Sequence, residues 1–145
     1  MQTIGLPYGE DVRYQRAEPP LTIDTPAAAR TFFSSCFGEQ APGSETLWVA
    51  HLDEKARCLH LSRHEGNSAG VALPLRTIVL DAALHGTAAI LLAHNHPSGD
   101  ARPSQSDLDA TRRLASLAGA MDCRIVDHLV FAGAECTSLK ALGYL

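Results

Sequence analysis

The stretch GTAAILLAHNHPSGDARPSQSD, positions 86–107, decides how the rest of the chain is read. Residues 87–93 form a continuous apolar run between Gly86 and a polar turn, which suits a central strand covered on both faces. At the end of a strand, residues i and i+2 project to the same side. His94 and His96 therefore face one point while Asn95 faces away. Pro97 biases His96 to an extended conformation and keeps the chain from curling into a helix. Past the turn, Ser104 is placed to cap a helix that runs to about Ala118, with Gly119 beyond its end.

Elements on both sides follow from similar signals. Thr25 before Pro26 has the pattern of an N-cap with proline at the first helical position, predicting a helix to about Phe37 that stops at Gly38. Residues 40–44 read as a turn. Residues 45–52 and 57–62 are two β-capable runs joined by Asp53, Glu54 and Lys55, a hairpin. Residues 63–70 read as a loop and 71–73 as a short strand before Pro74 starts a helix, in which Leu75, Ile78, Val79 and Ala82 repeat at helical spacing until Gly86. Residues 124–131 read as another strand, turned by residues 132–135 into a last short one. Interleaved helices and strands predict an α/β fold, a three-layer α/β/α sandwich with a mixed central sheet. Residues 1–24, with Pro7, Pro19 and Pro20, read as an irregular arm, and residues 25–145 as one domain.

Composition narrows the function classes. The chain has 145 residues, 46% hydrophobic and 19% charged, ordinary for one globular domain. Twelve Lys and Arg against sixteen Asp and Glu give a net charge of −4. That balance argues against a broad basic face for nucleic acid, which goes with a pI above about 9. The longest apolar run falls far short of the ~20 residues that cross a bilayer, and no basic segment followed by an apolar one opens the chain. Cys36, Cys58, Cys123 and Cys136 form no CxxC pair and read as reduced thiols. These features place the protein in the cytoplasm, off the membrane.

The chemistry sits in the opening stretch. Two neutral imidazoles presented together at a strand end are good Zn²⁺ ligands. Asp107, eleven residues after His96, adds a hard anionic oxygen in the first turn of the next helix. Two histidines and a carboxylate leave a fourth position for water, the pattern of a catalytic zinc site. Each piece alone has a structural reading, since an isolated HxH pair is often surface or packing histidine. Ser104 to Asp107 also has the S-x-x-[DE] spacing of a capping box. Capping and ligation are compatible, and the joined order HxHP, six residues, SxxD is far more specific than its parts.

This run resembles the JAMM motif of JAB/MPN metalloproteases. The fuller pattern adds Pro103 with Ser104, Asp109 to Thr111, and Asp127 with His128, and it is similar to the bacterial RadC-like branch. The resemblance covers roughly residues 25–142. It implies a JAB/MPN, cytidine-deaminase-like architecture and a zinc-dependent hydrolase of peptide or isopeptide bonds, acting on a peptide or protein substrate. It implies metal ligation by His94, His96 and Asp107. It further implies that Glu45, which opens the first strand of the hairpin, is the general base, and that Ser104 donates a hydrogen bond to the oxyanion. Asp127 and His128 stay outside this catalytic set: His128 reads either as a hydrogen-bond partner of a zinc histidine or as a satisfied core or edge residue. His51, His60, His64 and His85 read as ordinary, partly exposed residues.

Other functions have weaker support. RadC-type chains commonly carry a helix-hairpin-helix region, and only a short Pro-containing segment precedes the domain here, which lowers a DNA-repair accessory role. The letters HNH are a coincidence, because HNH nucleases spread those residues over a ββα unit. Zinc deaminases require H-x-E and P-C-x-x-C, and neither occurs. A non-catalytic MPN scaffold would be expected to lack a ligand, and all are present.

Overall fold

The computed structural model describes residues 21–38, 43–66 and 72–145. The elements in order are α1 (Pro26–Phe37), β1 (Thr46–Leu52), β2 (Cys58–Glu65), α2 (Leu75–His85), β3 (Ala89–Asn95), α3 (Gln105–Gly119), β4 (Arg124–Ala132) and β5 (Glu135–Ser138). The strands form one mixed sheet in the order β2-β1-β3-β4-β5. β3 runs parallel to β4 and every other neighbouring pair is antiparallel. A parallel pair needs a crossover connection, which α3 supplies.

β3 has no polar face because both of its faces are covered. Ala89, Leu91 and Ala93 pack with Ala29 and Phe33 of α1. Ile90 and Leu92 pack with Ile78 and Ala82 of α2 and with Leu114 and Ala118 of α3. Helices therefore lie on both sides of the sheet, as the α/β/α reading requires. His94 follows Leu92 by two residues and so faces the α3 side.

The helix ends follow the predicted chemistry. Thr25 Oγ1 accepts from Ala28 N at 3.0 Å, with Pro26 in the first turn. Gly86 closes α2 at φ 61°, a left-handed conformation without steric cost for glycine. At α3, Ser104 Oγ accepts from Asp107 N at 3.0 Å, and Asp107 Oδ2 accepts from Ser104 N at 2.8 Å. This reciprocal box is worth about 1 kcal/mol and fixes Asp107 in one orientation.

Two expectations need correction. β2 continues through Arg63, His64 and Glu65, where a loop was expected, because β1 needs partners as far as Thr46, which pairs with Glu65. β2 is an edge strand, and its polar residues give no apolar alternation to read. Ala72 and Leu73 are not a strand: Leu73 packs against the α2 side of the core and its carbonyl accepts from Leu75 N. Val71, residues 67–70 of the expected loop, 40–42 of the expected turn and 1–20 of the expected arm lie outside the described residues. At the end of that arm Thr22 bridges Arg57, and Ile23 is buried with its N–H donating to Ala56 O. All four cysteines are free thiols. Burial pushes Cys36, with Cys58 nearby, up to about 11, and burial likewise holds Cys58 at about 11. Among the described residues no helix is long and apolar enough to cross a membrane.

Candidate metal centre

The end of β3, the start of α3 and the residue before β1 bring four side chains together. His94 is buried within the sheet, between Leu47 of β1 and Val130 of β4. His96 N donates to Phe131 O at 2.7 Å, so the extended path continues one residue past the strand. Both imidazoles then lie on one side with their Nε2 atoms 2.9 Å apart. The capping box aims Asp107 back at them, with Oδ2 3.4 Å from His94 Nε2 and 3.3 Å from His96 Nε2. Glu45 stands just before β1, and the antiparallel pairing of Leu47 with His94 brings it level with His96. Its Oε1 is 3.8 Å from each Nε2.

Asn95 faces away from the histidines and has work of its own there. Its Oδ1 accepts from Thr46 N at 2.7 Å, and its Nδ2 donates to Ser44 O at 2.9 Å. One amide therefore grips the backbone on both sides of Glu45. The HxH reading did not anticipate this.

Proton positions follow from what each partner can accept. Thr111 Oγ1 donates its one proton to Asp107 O at 2.7 Å. That oxygen can then only accept from His128 Nδ1, 2.7 Å away. His128 Nε2 carries the lone pair and accepts from His94 Nδ1 at 2.7 Å, which leaves the lone pair of His94 on Nε2. His96 Nδ1 lies 2.8 Å from Asp100 O, a pure acceptor, so its lone pair is on Nε2 as well. Burial lowers His128 to about 3 and keeps its ring neutral, as this chain of bonds requires. Two lone pairs at 2.9 Å, flanked by two carboxylates, create a position for a cation.

The donors suit zinc in kind and spacing. Zinc takes imidazole nitrogen and carboxylate oxygen at about 2.0–2.2 Å, which sets tetrahedral ligands roughly 3.3–3.6 Å apart. The two Asp107–histidine edges match that spacing, and the His94–His96 edge is tighter by a few tenths of an ångström. Burial works to raise the Asp107 carboxyl, and the Ser104 N–H that donates to its Oδ2 at 2.8 Å opposes it. Glu45, His94 and His96 also group together as three converging ligand atoms.

Other expected residues divide. Ser104 is exposed beside Asp107, with its oxygen engaged by Asp107 N. Asp127 braces β4 against β5, accepting from Ser138 Oγ, His128 N and Lys140 N. His51 is fully buried, not partly exposed, because its position in β1 turns it towards α2. Sequence reasoning left the partners Thr111 and Asn95 without a role. Only the local spacing of Thr111 to Asp107, one helical turn, could have pointed to the first.

A sequence model of the RadC-like JAB domain matches residues 23–144. The chain belongs to the RadC-like JAB domain family. That match includes the eight secondary-structure elements of the described residues and every residue of the cluster. Among similar proteins, a UPF0758 protein of Thiobacillus denitrificans is 49% identical over 124 residues, 85% of this chain and 54% of that one. One from Bordetella petrii is 42% identical over 126 residues, again 85% and 54%. One from Cellvibrio japonicus is 40% identical over 102 residues, 70% of this chain and 46% of that one. This RadC-like JAB domain thus spans about half the length of the curated relatives it matches.

Proposed function

We propose that this RadC-like JAB domain is a zinc-dependent hydrolase of amide bonds, peptide or isopeptide, with a peptide or protein as substrate. The observation that carries the reading is the pair of imidazole lone pairs, each directed by a hydrogen bond on the opposite ring nitrogen, converging with Asp107 while Glu45 stands slightly further back. His94, His96 and Asp107 would hold the ion. When bound, zinc supplies a Lewis acid that brings the pKa of water to about 7. Glu45 Oε1 accepts the proton of the attacking water and returns it to the leaving amine. Ser104 donates a hydrogen bond from its hydroxyl to the oxyanion. His128 keeps the His94 proton on Nδ1, and Asn95 holds the segment that carries Glu45. Free thiols fit a reducing compartment, so we place this activity in the cytoplasm. The net charge of −4 gives no broad basic face, and nucleic acid is not among the proposed partners.

Elemental analysis of the purified protein beside His94→Ala, with cleavage of a peptide library followed by mass spectrometry, tests the reading. We expect one zinc per chain, lost with His94, and amide cleavage that disappears with chelator and returns with zinc. Stoichiometric zinc without cleavage, or cleavage in the chelated protein, overturns it. A second outcome concerns the buried ring. His128→Leu removes the acceptor of the His94 proton and is expected to weaken zinc binding ~10–100-fold, the usual effect of losing the partner of a ligating histidine. Competition with a chromophoric chelator reads this directly. Unchanged affinity would show that His94 needs no help to present Nε2.

A further inference from the structure

A groove of about 600 Å³ opens beside His96, on the side away from α3. Its apolar part is Phe37 at the end of α1 and Phe131 of β4, whose ring centroids are 5.2 Å apart at an interplanar angle of 49°. Gly38, Gly43, Gly99 and Gly133 supply backbone to its walls. Among the described lining residues, His96 is the one side chain able to carry charge. A cavity of this size falls within the ~300–1,000 Å³ of ligand sites. Its glycine walls let an extended chain come close, and its tilted aromatic pair rewards a large apolar group. His96 belongs to both the groove and the cluster, so the groove adjoins the candidate metal centre.

We propose that this groove is the specificity pocket of the hydrolase: it receives a large uncharged apolar side chain, aromatic or aliphatic, of an extended peptide next to the amide to be cut. The assignment rests on the amide-hydrolase reading for its substrate, but its preference can be measured without turnover. Gly38 provides the lever. It lies at φ −60°, an ordinary helical conformation, and an added Cβ would meet only Ser35 O at 3.5 Å and Ser34 O at 3.6 Å. Gly38 lines the groove, so a side chain there adds bulk to its wall without straining the backbone.

The experiment uses dye-labelled, end-capped alanine hexapeptides with one central Phe, Leu, Asp or Lys. Fluorescence anisotropy with zinc-loaded Glu45→Gln protein reads binding alone. The Phe and Leu peptides are expected to bind at least ~10-fold tighter than the Asp and Lys peptides, the discrimination of a few buried methylenes. Adding Gly38→Met should abolish that difference with zinc content unchanged. Equal binding of the four peptides, or a preference that survives Gly38→Met, overturns the assignment, and the peptide series decides even if Gly38→Met does not fold. Cleavage by the unaltered chain separates the two readings. Selective binding of the Phe peptide without cleavage refutes the hydrolase and leaves the groove. Cleavage of all four peptides with equal kcat/KM supports the hydrolase and refutes the groove.

Discussion

Glu45→Gln protein is expected to retain its zinc while hydrolysing amides ~10²–10⁴-fold more slowly, the contribution of a positioned general base. Glutamine keeps the shape of the side chain and removes the ability to take and return a proton. Two observations favour a base over a fourth ligand. Glu45 Oε1 is 3.8 Å from each imidazole nitrogen, whereas Asp107 Oδ2 is at 3.3 and 3.4 Å. The main chain around Glu45 is also held by Asn95 through Thr46 N and Ser44 O, bonds that the substitution leaves intact. Geometry that brings Glu45 into one group with both histidines keeps the ligand role as the sharp competitor. Zinc per chain and kcat measured on the same preparation decide between them: loss of both makes Glu45 a ligand, and loss of neither removes it from the chemistry.

Why some of this cluster could be read from the chain, and some could not, is a matter of sequence separation. His94, His96, Ser104 and Asp107 lie within fourteen residues, and strand alternation and a capping box are local rules. Glu45 is brought to them by antiparallel pairing between β1 and β3, so no local rule reaches it and only family resemblance pointed to it. His128 reaches His94 through the parallel pairing of β3 with β4, again a tertiary fact. Asn95 was read correctly as facing away, but what it faces is a segment 49 residues upstream.

The fold divides along the same line. β3 was legible because a strand buried on both faces leaves an unbroken apolar run, and α1 and α3 because their caps are written in adjacent residues. The end of β2 was not, since Arg63, His64 and Glu65 are strand only because Trp48, Leu47 and Thr46 lie opposite. Polar residues on an edge strand look like loop until the partner is known.

The histidine misread as partly exposed yields the other large effect. Acidification from about pH 7.5 to about pH 4.5 is expected to cost the fold roughly 2–3 kcal/mol through His51 alone, out of a total stability of roughly 5–15 kcal/mol. Burial first, and then the neighbouring His60, His85 and His64, lower its pKa from 6.5 to about 4. Nδ1 lies 3.0 Å from Thr87 Oγ1, and Nε2 is buried with no hydrogen-bond partner among the described residues. Between 6.5 and about 4 the unfolded chain binds a proton that the folded chain refuses, so stability is complete above this window and falls as pH drops through it, by about 1.4 kcal/mol per unit. His128 adds an acid loss of the same sign, so the His51 share must come from a difference. His51→Leu with Thr87→Val removes both partners of the buried bond and leaves neither polar group stranded. Urea unfolding in chelator at the two pH values should show the double variant losing roughly 2–3 kcal/mol less than the unaltered chain. Parallel losses in the two proteins would mean that His51 accepts its proton in the folded state as readily as in the unfolded one, and that the space between β1 and α2 is wetter than its packing implies.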